Sequence, residues 1–105
     1  SAKDYVHRNY RSVDVGLDDT CKELGVSNSY FSSLFKKETG NSFGEYLTDY
    51  RMDKAARMLV ETDDKSYVIA QNVGYADPNY FSYVFKRKYG VSPSRYRTEY
   101  EKNKV

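Results

Sequence analysis

The sequence contains very few of the residues from which covalent, metal or catalytic sites are built. Its 105 residues include one cysteine, one histidine and no tryptophan. A lone cysteine cannot close a disulfide within the chain, and one cysteine with one histidine cannot complete a structural zinc site. A single histidine, without paired carboxylates or a phosphate-binding loop, provides no catalytic set either. We therefore expect no metal, no cofactor and no enzymatic activity.

The two rare residues are themselves expected in ordinary structural positions. Cys21 lies on an apolar helical stripe with Leu17 and Leu24, a pattern typical of a small core residue rather than a reactive thiol. His7 has no partner of catalytic type near it in the sequence, so we expect it at the surface.

Long apolar runs and a strong net charge are also absent. No segment approaches the roughly 18 apolar residues that suggest a membrane span, and no signal peptide opens the chain, so we expect a soluble, cytoplasmic protein without membrane contact. The net charge is only +2. Residues 63–105 nevertheless hold eight basic groups against five acidic ones. A one-sided basic surface on a near-neutral protein is typical of phosphate binding.

The chain does contain a segment that occurs twice, 50 residues apart. Residues 30–37 read YFSSLFKK and residues 80–87 read YFSYVFKR, and each is followed by Gly, Ser and Tyr at matching positions. A self-match at a fixed period indicates one supersecondary unit used more than once. Two copies are too few for a solenoid, but they suit a protein that holds two equivalent sites a set distance apart.

Helical periodicity and capping signals account for nearly the whole chain. They predict helices over residues 2–11, 17–24, 28–39, 43–61, 65–73, 78–89 and from 92 onward. No strand pattern is present, so the expected fold class is all-α with about seven helices. A short helix, a glycine turn and a second helix constitute a helix-turn-helix. We expect one such subdomain over 1–41, a linker helix over 42–62 and a second subdomain over 63–105.

The repeated helices are predicted to bury one face and to expose the other. At 100° per residue, the buried sides are Phe31, Leu34 and Phe35 in the first copy and Phe81, Val84 and Phe85 in the second. The opposite sides carry Ser29, Ser33 and Lys36 in the first copy and Asn79, Tyr83 and Lys86 in the second, with Ser32 and Ser82 at the edges. Neither outer face contains Asp or Glu, which favours a partner that carries phosphates.

A helix with such a face fits the major groove of DNA, which is wide enough to admit it. Asn79 can pair with adenine, and Tyr83 can offer its hydroxyl or pack on a thymine methyl group. The basic residues near the helix ends are expected at backbone phosphates: Lys36, Lys37, Lys86, Arg87 and Lys88. The linker helix would span roughly 28 Å, close to the ~34 Å between successive turns of B-DNA.

The ordered motifs of the chain resemble those of a known family over nearly its whole length. They are RMDKAARML at 51–59, IAQNVGY at 69–75, DPNYFSYVFK at 77–86 and GVSPSRYR at 90–97. Together they resemble the DNA-binding domain of the arabinose-regulator (AraC/XylS) family of bacterial transcription factors. The segments around Tyr5 and Lys65 are most similar to the subgroup in which this domain follows a response-regulator receiver, the YesN type.

The resemblance implies two helix-turn-helix units whose third and sixth helices enter successive major grooves. Carried over by position, the base-reading residues would be Ser29, Ser32, Ser33, Asn79, Tyr80 and Tyr83. The expected partner is double-stranded DNA, with RNA polymerase as a second candidate and the receiver or sensor domain upstream of this segment. We expect the isolated domain to be monomeric and regard the full-length protein as a candidate dimer. The alternative interpretation is a helical module whose tyrosine-rich faces bind another protein.

Overall fold

The computed structural model of this chain describes residues 2–13 and 15–104. Within them it contains seven α-helices and no strand: α1 Ala2–Asn9, α2 Leu17–Leu24, α3 Asn28–Thr39, α4 Phe43–Glu61, α5 Ser66–Asn72, α6 Pro78–Tyr89 and α7 Pro93–Lys102. This confirms the predicted all-α fold, and every helix boundary that the sequence predicts lies within two residues of the observed one. Helices α2 and α3 form the first helix-turn-helix unit, α5 and α6 form the second, and α4 joins them.

Side-chain caps explain where the helices begin. At four helix starts a side-chain oxygen accepts a hydrogen bond from a backbone N–H of the first turn, which would otherwise lack a partner. These capping residues are Ser27, Ser42, Asp77 and Ser92. At Ser42 the carboxylate of Glu45 in turn accepts a hydrogen bond from the backbone N–H of Ser42, so the two residues form a capping box.

The two repeated helices also end in the same way. α3 and α6 are each 12 residues long, and each is followed by a glycine in the left-handed conformation. Gly40 has φ 80° and ψ −5°, and Gly90 has φ 81° and ψ −7°. Glycine adopts this conformation without the steric cost that a Cβ would add. The repeat in the sequence is therefore a repeat in backbone geometry.

Aromatic rings fill the core of each half of the molecule. In the first half, Phe31, Phe35 and Phe43 pack with ring centroids 5.6–5.7 Å apart. In the second half, Phe85 is fully buried and its ring centroid lies 5.4 Å from that of Tyr96. The long helix α4 contributes to both halves, and the whole molecule is elongated, measuring 48 × 24 × 20 Å.

The predicted burial of Leu34 is wrong, and Leu24, on the same apolar stripe as Cys21, is also exposed. Leu34 is 40% exposed and Leu24 is 43% exposed. At the position equivalent to Leu34 in the second unit, Val84 is half-buried because it lies in a groove whose other wall includes Thr48 and Asp49 of α4. The shallow surface that Leu34 shares is lined by residues of α3 alone, so Leu34 stays at the surface.

The expectations for Cys21 and His7 are confirmed. Cys21 is buried at 2% exposure, and burial raises the pKa of its thiol, as expected for a core cysteine. His7 is exposed, although its ring stacks on Tyr50 and its Nε2 lies 2.8 Å from the hydroxyl of Tyr46. In the described part of the chain, no helix is both long enough and apolar enough to cross a bilayer.

Candidate nucleic-acid interface

The outer face of α6 carries an exposed cluster of two tyrosines and an arginine. Tyr80 and Tyr83 are each 56% exposed, and their rings are nearly parallel with centroids 6.3 Å apart. The guanidinium of Arg87 lies 5.8 Å from the ring centroid of Tyr83, and its Nη1 donates to the Tyr83 hydroxyl at 3.3 Å. Two predicted base-reading residues and one predicted phosphate-binding residue are therefore brought together.

Asn79 directly precedes Tyr80 of this cluster, in the first turn of α6. Asn79 is exposed. Its backbone N–H donates to the Asp77 side chain, and this hydrogen bond fixes the start of the helix. The cap leaves the amide of Asn79 outside the core, where its carbonyl and NH₂ groups can form a pair of hydrogen bonds with one base. The position of Asn79 agrees with the sequence-based interpretation.

The outer face of α3 divides into two flanks. One flank is a shallow surface lined by Ser29, Tyr30, Ser33, Leu34 and Lys37. The other flank carries Ser32 and Lys36, and it borders a cleft whose remaining walls come from the first residues of α2 and α4. The predicted base-reading serines are thus on one helix but not on one flank, and Ser32 is half-buried while Ser29 and Ser33 are exposed.

Four of the five predicted phosphate-binding side chains are exposed at the ends of the repeated helices. They are Lys36, Lys37, Lys86 and Arg87. None of the four forms an ion pair within residues 2–13 and 15–104, so their charge is available to an external anion. Both recognition-type helices therefore present positive charge at their C-terminal ends.

Lys88, the fifth, is placed differently. Its Nζ lies 2.7 Å from Asp53 Oδ1 and 3.6 Å from Asp49 Oδ1 on α4, and its side chain is only 28% exposed. Partial burial pushes the pKa of Asp53 up, but hydrogen bonds from Lys88 and Tyr89 outweigh this effect, and the pKa lies below its usual value. The charge of Lys88 is already offset within the protein, which the sequence alone did not indicate.

Arg51 is a structural residue that the sequence analysis missed. It lies in the middle of α4 at 8% exposure, and its guanidinium donates to the backbone carbonyls of Tyr10 at 2.9 Å and Ser12 at 2.7 Å. The same group lies 5.2 Å from the ring centroid of Tyr75. Burial lowers the pKa of this guanidinium, and Tyr75 acts in the opposite direction.

Arg97 is a second arginine with a structural role. Its Nε donates to the Leu59 carbonyl at 2.8 Å and its Nη2 to the Thr62 carbonyl at 3.0 Å. These carbonyls belong to the C-terminal end of α4, where backbone acceptors lack partners within the helix. A basic residue in the second half of the chain is therefore not automatically a phosphate contact.

Nothing in the described part of the chain offers a metal site, since no three His, Cys, Asp or Glu side chains are grouped closely enough to hold an ion. The site consists instead of two exposed polar and basic helix faces. Each face belongs to the second helix of a helix-turn-helix unit, and one long helix carries both units. This arrangement defines the class of DNA-binding domains with two helix-turn-helix units.

The family follows from comparison with known proteins. A family model described as a helix-turn-helix domain matches residues 20–99. The chain belongs to this family, the AraC-type DNA-binding domains of transcription regulators, which are not enzymes. The lactose operon transcription activator of Staphylococcus xylosus is 36% identical over 77 residues, which are 73% of this chain and 27% of that protein. Of three curated relatives that it matches, the chain spans 27%, 20% and 9% of the length.

Solved structures are similar over nearly the whole chain. The C-terminal domain of AraT, a response regulator from Geobacillus stearothermophilus, is 40% identical with a TM-score of 0.91, covering 93% of this chain and 81% of that one. The C-terminal domain of the two-component response regulator yesN from Fusobacterium nucleatum subsp. nucleatum ATCC 25586 is 36% identical with a TM-score of 0.89, covering 91% and 93%. The predicted similarity to the YesN subgroup is confirmed.

Proposed function

We propose that this domain recognises two adjacent half-sites on duplex DNA, with α3 and α6 in successive major grooves. The observation that carries the proposal is the match between two 12-residue helices with the same type of start and stop, each exposing polar and basic side chains. α4 is 19 residues long, which corresponds to a rise of roughly 28 Å. Half-sites one helical turn apart are separated by about 34 Å, within the 48 Å length of the molecule.

In this proposal the exposed polar side chains read bases and the helix ends bind phosphates. The proposed base-reading residues are Ser29, Ser32, Ser33, Asn79, Tyr80 and Tyr83. The proposed phosphate contacts are Lys36, Lys37, Lys86 and Arg87, whereas Lys88 could contribute only after giving up Asp53. Because serine hydroxyls both donate and accept, the first helix would discriminate less between bases than the second.

The whole protein would be a bacterial response regulator that acts on transcription in the cytoplasm. The similarity to the C-terminal domains of AraT and yesN supports this proposal. The signal would then come from a receiver domain upstream of the segment 1–41, and RNA polymerase is the proposed partner at an activated promoter. The domain itself would bind DNA as a monomer, because a single chain supplies both recognition helices.

Selection of binding sites from random duplexes, followed by titration at several salt concentrations, tests the proposal. Affinity should fall steeply with salt, with a log–log slope of about −0.9 for each phosphate contacted. Lys86→Ala should flatten this slope by about one unit on every sequence, whereas Asn79→Ala should relax the preference at one base position. Lys88→Ala is the matched control, and it should change the slope less because its charge is offset by Asp53.

One observation favours the alternative of a protein-binding module. Tyr30 and Leu34 expose 60% and 40% of their surface side by side on α3, and exposed apolar patches often mark protein contacts. Binding to a protein through this patch would be nearly independent of salt. If no duplex is bound even at low salt, the DNA proposal fails and this alternative takes its place.

A further inference from the structure

The two helix-turn-helix units meet at a junction built around Arg51. On one side, its guanidinium donates to the carbonyls of Tyr10 and Ser12, which belong to the connection between α1 and α2. On the other side, it lies against the ring of Tyr75, in the turn between α5 and α6. One side chain of α4 thus contacts the segment that leads into α2, the first helix of the first unit, and the segment that leads into α6.

At the same point, Gly74 of the second unit closely approaches the backbone of the segment that connects α1 to α2. It has φ +97°, and a Cβ built on it would lie 2.6 Å from the Tyr10 carbonyl oxygen and 2.7 Å from Arg51 Nη2. Such distances are too short for a real side chain, so only glycine fits there. By contrast, a Cβ on Gly40 or Gly90 would meet nothing within 4 Å. The contact at Gly74 is therefore a close approach between units and not merely a helix stop.

The chemistry of the guanidinium makes this junction geometrically specific. Arginine presents its donors in a rigid planar fork, and here Nε and Nη2 each have a separate carbonyl acceptor. A buried charge must keep its hydrogen bonds, because losing them leaves it without solvation. Because the two carbonyls fix the guanidinium, rotation of the second unit against the first would move the Tyr75 ring away from it. A lysine, with all its donors on one nitrogen, cannot reproduce the fork.

We propose that Arg51 is a positioning residue that sets the angle and separation of α3 and α6, and thereby the half-site spacing that the domain accepts. This inference rests on the proposed reading of DNA by both helices. Moving one half-site by one base pair shifts it by about 3.4 Å and turns it by about 34° around the duplex. With a rigid junction, α3 and α6 cannot both bind half-sites that have been shifted in this way. With a loosened junction, the two helices can adjust to the new spacing.

The test compares Arg51→Met with Arg97→Met on duplexes whose half-sites are moved by up to two base pairs in each direction. Arg97 also donates to two backbone carbonyls, but both acceptors lie at the C-terminal end of α4 in the second half of the molecule, so it controls for a general loss of stability. Simultaneous engagement of two sites typically raises affinity 10²–10⁴-fold over one site. In the unmodified domain and in Arg97→Met, a shift of one or two base pairs should lower affinity about tenfold or more.

In Arg51→Met, the affinity for duplexes with shifted half-sites should stay within about threefold of the affinity for the unshifted duplex. The affinity for a single half-site should remain unchanged within about twofold. Gly74→Ala disturbs the same junction from the other side, so it should also reduce the dependence of affinity on half-site spacing. If Arg51→Met loses as much affinity on shifted half-sites as the unmodified domain does, the proposal is overturned. If Arg51→Met does not fold, Arg51→Lys takes its place. The same two quantities are measured for it, the affinity on shifted half-sites and the affinity for a single half-site.

A second measurement needs no DNA and separates this inference from the proposed function. Spin labels at the exposed sites Glu38→Cys and Ser94→Cys report the distance between the units, since the native Cys21 is buried. The distance distribution should be narrow in the unmodified domain and in Arg97→Met, and broader or shifted in Arg51→Met. An unchanged distribution overturns the role of Arg51 even if DNA binding is demonstrated. A changed distribution in a domain that binds no duplex supports the junction and refutes the proposed function.

Discussion

Replacing Phe85 by alanine should lower the free energy of unfolding by about 3–5 kcal/mol. Phe85 is fully buried, and its ring centroid lies 4.6 Å from that of Tyr89, 5.4 Å from that of Tyr96 and 6.0 Å from that of Phe81. The change removes the transfer energy of a whole ring and leaves a cavity among three other rings. Each lost aromatic pair can add about 0.5–1.5 kcal/mol, which places the expected value in the upper half of the range.

Urea denaturation followed by far-ultraviolet circular dichroism measures this loss. A domain of this size has a total stability of about 5–15 kcal/mol, so the variant should unfold at a much lower urea concentration with little change in the m-value. Each 1 kcal/mol corresponds to roughly 4–8 °C in Tm, which predicts a decrease of at least about 12 °C. Phe85→Leu, which keeps most of the apolar volume, should cost less than half as much. A loss below about 1 kcal/mol for Phe85→Ala would show that the ring does not support the core.

Two smaller predictions concern the surface. Asp53→Asn should lower stability at pH 7 by no more than about 1 kcal/mol, because the Asp53 side chain is 68% exposed and solvent screens its ion pair with Lys88. Since the folded-state pKa of Asp53 is lowered, its contribution is present above the ordinary carboxyl pKa and is lost as pH falls through the folded value. The difference in stability between variant and parent should therefore shrink as the pH is lowered below the ordinary carboxyl pKa. Asp77→Ala should cost about 1 kcal/mol through the lost N-cap of α6, measurable by thermal unfolding, and Asp77→Asn should restore most of it.

The helices could be predicted closely because their signals are local. Ser42 and Asp77 start their helices through bonds to residues two or three positions away, and Gly40 and Gly90 stop theirs within one turn. The repeated Phe positions were equally clear, because a helix has only one side that can hold two large rings one turn apart. Each of these features depends on at most five consecutive residues, so a single sequence contains all the information needed.

The residues that were misjudged depend on partners distant in the chain. Leu34 and Val84 have equivalent places in the repeat, but only Val84 has a wall of α4 beside it. Lys86 and Lys88 look alike in the sequence, and the partner of Lys88 is 35 residues away on α4. Arg51 bonds to carbonyls 39 and 41 residues away, and backbone acceptors have no signature in the side-chain sequence. Tertiary packing decides each of these cases.

The boundaries of α3 and α6 match, so the outward-facing residues of one helix have equivalent positions on the other. Each is 12 residues long, begins after a capping side chain and ends at a glycine of nearly the same conformation. The outward residues can therefore be transplanted without altering either boundary, for example by placing Asn and Tyr at positions 29 and 33. A domain with the same outward face in both units would favour a direct repeat of one base sequence, whereas the natural chain carries two different faces and would favour an asymmetric site. If both helices read bases as proposed, such an asymmetric site would fix the direction in which the domain lies along the DNA.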